Sequence, residues 1–231
     1  MRNTSRLALV LLPCLLLCAA RGEDKKFLDS FNVDEQNFVS TGKNTYFSLE
    51  PGYQLVYEGE EDGKKMVLVI TVLNETKKVG NIETRVIEER ETADGKLTEV
   101  SRNYFAMDKT TKSIYYFGED VDMYKDDKVT GHGGSWLAGV DGARYGLMMP
   151  GTPEEGDRYY QEVASGKALD RAEIQSLTEK LKTPAGNFEN CLKTKETSGL
   201  DPKEKSTKSY APGIGLVKDS EYKLTRYGQA K

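Results

Sequence analysis

Cysteine, histidine and tryptophan are nearly absent from this sequence of 231 residues, which holds three, one and one of them. Cys14 and Cys18 fall within the first 22 residues, so Cys191 stands alone in the rest of the chain. A single cysteine forms no internal disulfide, and no CxxC pair is present for zinc or redox chemistry. With only one histidine as well, we expect no transition-metal centre and no cofactor.

The chain also lacks a basic stripe and, beyond its first 22 residues, a long apolar run. Its 33 basic and 37 acidic residues interleave, whereas nucleic acids and anionic membranes bind concentrated positive charge. The apolar stretch "MVLVITVL" at 66–73 has the length of a strand rather than of a membrane-spanning helix. The sequence therefore predicts neither nucleic-acid binding nor a transmembrane segment in the mature chain.

Residues 1–22 have the pattern of a secretory signal peptide. Two arginines flank the start of the apolar stretch "LALVLLPCLLLCAA", and small residues stand two positions apart at its end. We expect cleavage after Gly22, which makes Glu23 the mature N-terminus, with cleavage two residues earlier as the alternative. Leu17 is too large to precede a lipidated Cys18, so lipidation is not favoured. The sequence predicts a secreted protein, either extracellular or periplasmic.

The remaining chain divides into a lead-in segment and one domain. Residues 23–43 are polar with scattered apolar positions, and we expect them to form a loose lead-in. In 44–231, β-rich runs alternate with tight polar turns such as Asp62-Gly63 and Asp94-Gly95. Helical crossovers, which a parallel sheet requires, are not apparent between these runs. The pattern predicts a single, mainly β domain: an antiparallel meander forming a twisted half-barrel, with at most one or two short helices.

One segment, "LDRAEIQSLTEKLK" at 169–182, fits two structures. Ile174, Leu177 and Leu181 fall at helical spacing among good helix formers. Alternation also runs through the second half of the segment, and Pro184 and Gly186 then resemble a hairpin turn. The sequence leaves helix and strand equally open here.

The glycine-rich stretch "GHGGSWLAGVDGARYG" at 131–146 contains His132 and Trp136. Its "HGG" is similar to the oxyanion loop of lipases, but a triad needs a histidine as base, and His132 would already be used in the loop. Leu137 stands where a GxSxG elbow has its last glycine, and Trp136 interrupts GxGxxG. We interpret the stretch as bent sheet packed around Trp136, with His132 in solvent and without a partner.

Acidic residues offer two further possibilities. The run "EDVDMYKDD" at 119–127 resembles the start of a calcium loop, but Lys125 occupies the position of the required glycine. A solvated acidic turn is favoured, and an irregular calcium site is the alternative. Paired carboxylates carry out glycoside and other acid–base chemistry, yet the sequence singles out no pair among its acidic residues.

Aromatic residues are concentrated in the middle strands. Most are expected to be core, but an aromatic-rich concave face would also hold an apolar ligand or contact a protein. The candidate ligand-binding residues are Trp136, Tyr115, Phe117, Tyr145 and Met148.

Five ordered stretches carry a resemblance to a known group. They are "YFSLEPGYQLVYEG", "IYYFGEDVDMY" with the later "GSWLAG", "MMPGTPEEGDRYYQE", "TPAGNFENCLKTKE" and "SYAPGIGLVK". Over residues 44–219 the chain resembles a widespread group of uncharacterised secreted bacterial proteins, and more distantly a lipoprotein-like group. The resemblance implies an antiparallel half-barrel related in shape to periplasmic carriers of lipoproteins or lipids. Tyr53 stands where many relatives have tryptophan, and the resemblance supplies no catalytic residues.

These observations favour a non-enzymatic binding or envelope-associated protein, with an apolar ligand or an envelope protein as its partner. Two alternatives remain: a hydrolase that depends on carboxylates alone, and a structural or adhesive surface protein without a small ligand.

Overall fold

The computed structural model describes residues 26–230, so the predicted signal peptide and Glu23 lie outside the described residues. Within that part of the chain there is no α-helix, and a 3₁₀ turn spans Glu35–Asn37. The prediction of a mainly β, antiparallel fold is confirmed. In chain order the strands are β1 Phe38–Val39, β2 Tyr53–Glu61, β3 Lys64–Val79, β4 Ile82–Ala93, β5 Lys96–Asp108, β6 Ile114–Lys125, β7 Lys128–Gly131, β8 Trp136–Leu137, β9 Arg144–Met149, β10 Arg158–Tyr160, β11 Glu162–Val163, β12 Asp170–Thr183, β13 Gly186–Ser198, β14 Lys205–Ala211, β15 Gly215–Asp219 and β16 Tyr222–Gln229.

The predicted Asp-Gly turns set the first hairpins. Asp62 and Gly63 have φ of 51° and 74°, and Asp94 and Gly95 have φ of 49° and 77°. Positive φ at both central residues defines the two-residue turn whose twist matches that of the flanking strands. The turns therefore join β2 to β3 and β4 to β5 as antiparallel pairs.

The sheet curls until its two edges nearly meet. Its main path runs β10-β12-β13-β14-β15-β16-β2-β3-β4-β5-β6-β9-β11. The two edge strands are β10, which pairs with β12, and β11, which pairs with β9. They follow one another in the sequence with one residue between them, so the two edges of the sheet lie close together. A Cβ atom at Gly146 would overlap the backbone oxygen of Gln161, which lies between β10 and β11. Glycine at 146 thus permits the close approach that nearly closes the sheet.

The ambiguous segment 169–182 is a strand. It forms most of β12, which pairs with β13 around the two residues Pro184 and Ala185. The register of this pair shifts after Ile174, Ser176 and Glu179. Each irregularity breaks the two-residue alternation. That is why apolar positions of a strand fall at helical spacing in the sequence.

The N-terminal lead-in is docked rather than loose. We call residues 26–39 the strap. Leu28 exchanges backbone hydrogen bonds of 2.9 and 2.8 Å with Arg158 and Tyr160 of β10. At its other end the strap forms β1, which pairs with β5. The Phe27 ring packs edge-on against Tyr160. The guanidinium carbon of Arg171 lies 4.8 Å from the centre of the Phe27 ring. Backbone hydrogen bonds and aromatic contacts with the outside of the sheet therefore fix the strap in place.

Candidate functional site

The interior of the curled sheet contains a cavity of about 90 Å³. Side chains on alternate positions of β2 to β5, β9 and β14 to β15, together with residues 46–48 and Ile214, surround it; we call this surface the inner face and the space the inner cavity. The apolar and aromatic lining consists of Tyr46, Phe47, Tyr53, Leu55, Leu68, Ile70, Val72, Ile87, Phe105, Met148, Tyr210, Ile214 and Leu216. The lining also includes Ser48, Gly215 and three charged residues: Glu89, Lys208 and Asp219.

Strand register places the charged residues beside the apolar ones. Ile70 of β3 stands opposite Leu55 of β2 on one side and opposite Glu89 of β4 on the other. Directly paired residues of an antiparallel sheet share a face. Across the interior, Lys208 of β14 pairs with Asp219 of β15. The inner cavity therefore has a mostly apolar lining with charged groups on two sides of it.

Lys208 is the centre of a polar network. Its Nζ atom lies 3.1 Å from Glu196 Oε2 and 3.6 Å from Asp219 Oδ2. The other oxygen of Glu196 accepts hydrogen bonds from Gln161 Nε2 at 3.1 Å and from Thr194 at 3.2 Å. Burial alone would lower the pKa of Lys208, but Glu196 and Asp219 raise it well above its ordinary value. Lys208 therefore stays charged, and its ammonium group is already paired with these two carboxylates.

Several carboxyl groups of the inner face have a raised pKa. Burial raises the pKa of Glu89 to about 7, although Lys208 opposes the shift. Burial, and then the charge of Glu89, raise the pKa of Glu119 to about 7. The pKa of Glu162 is raised well above its ordinary value, first by burial and then by Glu119. The carboxyls share one enclosed space and disfavour one another's ionisation.

Three buried polar atoms on the inner face have no hydrogen-bond partner among the described residues: Trp136 Nε1, Tyr159 Oη and the Oη of Tyr222, which stands opposite Asp219. Tyr159 is 1% exposed and stands opposite Ala172, which in turn stands opposite Glu196, so all three share the inner face. Trp136 is 3% exposed. Buried polar groups are nearly always bonded in folded proteins, and an exception requires an explanation.

The predicted ligand-binding residues do not line one surface. Tyr115, Phe117 and Tyr145 lie together on the outer face, where Phe38 of the strap contacts all three rings at centroid distances of 5.2 to 5.7 Å. Trp136 lies on the inner face, 5.4 Å from the Tyr116 ring. Met148 lines the inner cavity. Successive residues of β6 point to opposite faces, which separates Tyr115 and Phe117 from Tyr116.

His132 has partners, contrary to the expectation from its glycine-rich surroundings. Its Nδ1 lies 2.9 Å from the Val121 backbone oxygen and 3.0 Å from Asp122 Oδ1. The side chain is still 68% exposed. The strand pairing of 128–137 with β6 brings His132 beside β6, a contact that local sequence does not reveal.

The acidic run 119–127 is divided by the alternation of β6. Glu119 faces inward, whereas Asp120 bonds Lys77 at 2.9 Å and Asp122 lies 3.5 Å from Arg102 on the outer side. Asp126 and Asp127 form the turn into β7. No group of three potential metal-ligating side chains occurs in the described part of the chain.

Sequence reasoning missed the inner-face charges, including Glu89, Glu196, Lys208 and Asp219. Each lies in a polar stretch such as "IEERET" or "STKSYA", which alone is typical of a solvated strand. Their location depends on closure of the sheet. Val86 and Ile87 are both buried although they point to opposite faces of β4, so the burial of a charged residue further along the strand is not evident until the register is known.

Comparisons with known proteins do not assign a function to this chain. No family model matches the sequence, and no curated protein matches it. A solved structure described as a "putative lipoprotein from Parabacteroides distasonis" is similar at 14% identity and a TM-score of 0.39, covering 81% of this chain and 100% of that one. At that level the similarity assigns no function. In residues 26–230 no helix has the length and hydropathy to cross a membrane.

Proposed function

We propose that this protein is a non-enzymatic binding protein, secreted or in the cell envelope, that holds a small apolar group in its inner cavity. The observation that carries the proposal is the cavity itself, with its mostly apolar lining. Ligand sites are typically concave and mostly apolar, with a few polar groups that fix orientation. The location in the envelope or outside the cell rests on the N-terminal sequence.

The size of the cavity limits what it holds. An engineered apolar cavity of about 150 Å³ binds benzene, and the inner cavity measures about 90 Å³. The space is therefore suited to an alkyl group of a few carbons rather than to a complete acyl chain. This group would contact Leu55, Ile70 and Leu216, which border the space.

The test uses 1-pentanol as a soluble apolar probe in isothermal titration calorimetry. Ile70→Trp places bulk in the inner cavity, and Val69→Trp places the same bulk on the outer face of β3. We expect the parent protein and Val69→Trp to bind the probe and Ile70→Trp to lose binding. Absence of binding to the parent protein, or unchanged binding to Ile70→Trp, would overturn the proposal. Urea unfolding of each variant confirms that it is folded.

A second candidate, the carboxylate-dependent hydrolase, is favoured by one observation. Glu89 and Glu119 both have a pKa of about 7, and their charges interact. General acids commonly titrate near the working pH. Chromogenic esters and glycosides test this candidate: turnover that is lost in Glu89→Gln and in Glu119→Gln would favour it over the binding protein. A purely structural or adhesive protein would show neither turnover nor probe binding.

A further inference from the structure

We propose that the natural ligand is an amphipathic cation, whose ammonium group meets the carboxylates of the inner face while its alkyl part occupies the inner cavity. The inference rests on the proposed function and specifies its ligand class. It follows from three features: the balance of charge on the inner face, the position of Glu89 and the unpartnered Tyr159 hydroxyl.

The charge balance of the inner face is strongly negative. Lys208 is the cation that acts on Glu89, Glu162, Asp170 and Asp219, and its ammonium is already bound by Glu196 and Asp219. Enclosed carboxylates without cations are costly, so they are either protonated or paired. A cationic ligand would pair with these carboxylates in their ionised form and would thus take the place of the protons that otherwise neutralise them.

Glu89 is the carboxylate best placed for this role. It lines the same cavity as the apolar residues, opposite Ile70. Among the described residues it makes no hydrogen bond or ion pair. The charged and titratable groups that face it are Lys208 of β14, Asp219 of β15, Glu99 of β5, Glu119 and Tyr116 of β6, Tyr57 of β2 and Glu91 of its own strand. Only the first of these is a cation.

The Tyr159 hydroxyl, which lies outside the lining of the inner cavity, is an available hydrogen-bond acceptor on the same face. Its hydroxyl is unpartnered although the side chain is 1% exposed. The strand register aims it toward the face that carries Glu196, and that carboxylate and Tyr210 both interact with it electrostatically. A phenol oxygen accepts hydrogen bonds from an ammonium group, which has three N–H donors.

The experiment compares pentylamine with 1-pentanol, which differ in the ammonium group and share the alkyl chain. At pH 8 we expect the parent protein to bind pentylamine at least about tenfold more tightly, as a charge-assisted contact contributes. In Glu89→Gln the ratio of the affinity for pentylamine to that for 1-pentanol should fall to about one. Glu58→Gln, an exposed carboxylate of β2 that pairs with Lys65, is the matched control and should bind as the parent does.

Acidification provides a second readout. The amine stays charged below pH 8, whereas Glu89 and Glu119 take up protons as the pH falls through about 7. The preference for pentylamine should therefore shrink between pH 8 and pH 5 in the parent protein. In Glu89→Gln the ratio of the two affinities should change less.

The outcomes separate this inference from the proposed function. Equal affinities for pentylamine and 1-pentanol would overturn the proposal of a cationic ligand but not the proposal of a binding protein. Amine binding that survives in Glu89→Gln with its full preference and pH dependence would overturn the assignment to this carboxylate. If neither compound binds, both proposals fail.

Discussion

The Nζ atom of Lys208 lies 3.1 Å from the Glu196 carboxylate inside the curled sheet, where both side chains are largely removed from solvent. Removing one partner of such a pair leaves the other charge uncompensated. We expect Lys208→Met to lower the free energy of unfolding by roughly 3 kcal/mol in urea denaturation.

The control for this substitution is Lys180→Met. Lys180 pairs with Glu189 at 3.0 Å, but both side chains are more than 60% exposed. Exposed ion pairs contribute less than about 1 kcal/mol. Equal losses in the two variants would contradict the enclosed position of Lys208.

Stability should fall as the pH rises from 5 to 8. Glu89 and Glu119 have an ordinary pKa of 4.5 and a pKa of about 7 in the folded protein. Between these values the folded state binds more protons than the unfolded state, so the free energy of unfolding decreases with increasing pH. The urea midpoint should be lower at pH 8 than at pH 5.5.

Glu89→Gln tests the origin of this pH dependence. Glutamine resembles the protonated carboxyl group, so the variant should be more stable than the parent at pH 8 and should lose less stability between pH 5.5 and 8. A urea midpoint that rises with pH in the parent protein would show that Glu89 and Glu119 are not enclosed as described.

Trp136→Ala should cost about 3–5 kcal/mol, as for other buried large aromatic residues. Trp136 is 3% exposed and packs against Tyr116. His132→Ala, in the same glycine-rich stretch, should cost less than about 1 kcal/mol, since the contact of His132 with Asp122 is largely exposed. A Trp136→Ala variant as stable as the parent would contradict the packing of this stretch around the indole.

Phe38→Ala separates folding from binding at the outer aromatic cluster. Phe38 covers Tyr115, Phe117 and Tyr145, so its loss should destabilise the protein by about 2–3 kcal/mol, less than for a fully buried phenylalanine. Binding of 1-pentanol to the folded variant should be unchanged. Weakened binding would instead place the ligand on the outer face.

The sequence predicts the fold class because its turns are local. The Asp62-Gly63 and Asp94-Gly95 turns and the length of the runs between them indicate an antiparallel meander without further information. The strand character of β12 could not be decided, since irregular register after Ile174, Ser176 and Glu179 mimics helical spacing. Periodicity is a reliable signal only while the alternation is unbroken.

The candidate site depended on long-range pairing and was mostly missed. Met148 lines the inner cavity, but Tyr115, Phe117 and Tyr145 are covered by a strap that begins more than 100 residues away from Tyr145. Glu89 of β4 and Lys208 of β14 line the same cavity, which requires the sheet to curl because these strands are far apart in its order. No local pattern encodes that closure.

A methyl NMR titration of the folded protein with 1-pentanol locates the bound probe directly. We expect the methyl resonances of Leu55, Ile70 and Leu216, which line the inner cavity, to shift together and saturate. Shifts confined to outer-face methyl groups such as those of Val56 and Val69, or no saturable shifts, would contradict the claim that the interior of the sheet is the binding site.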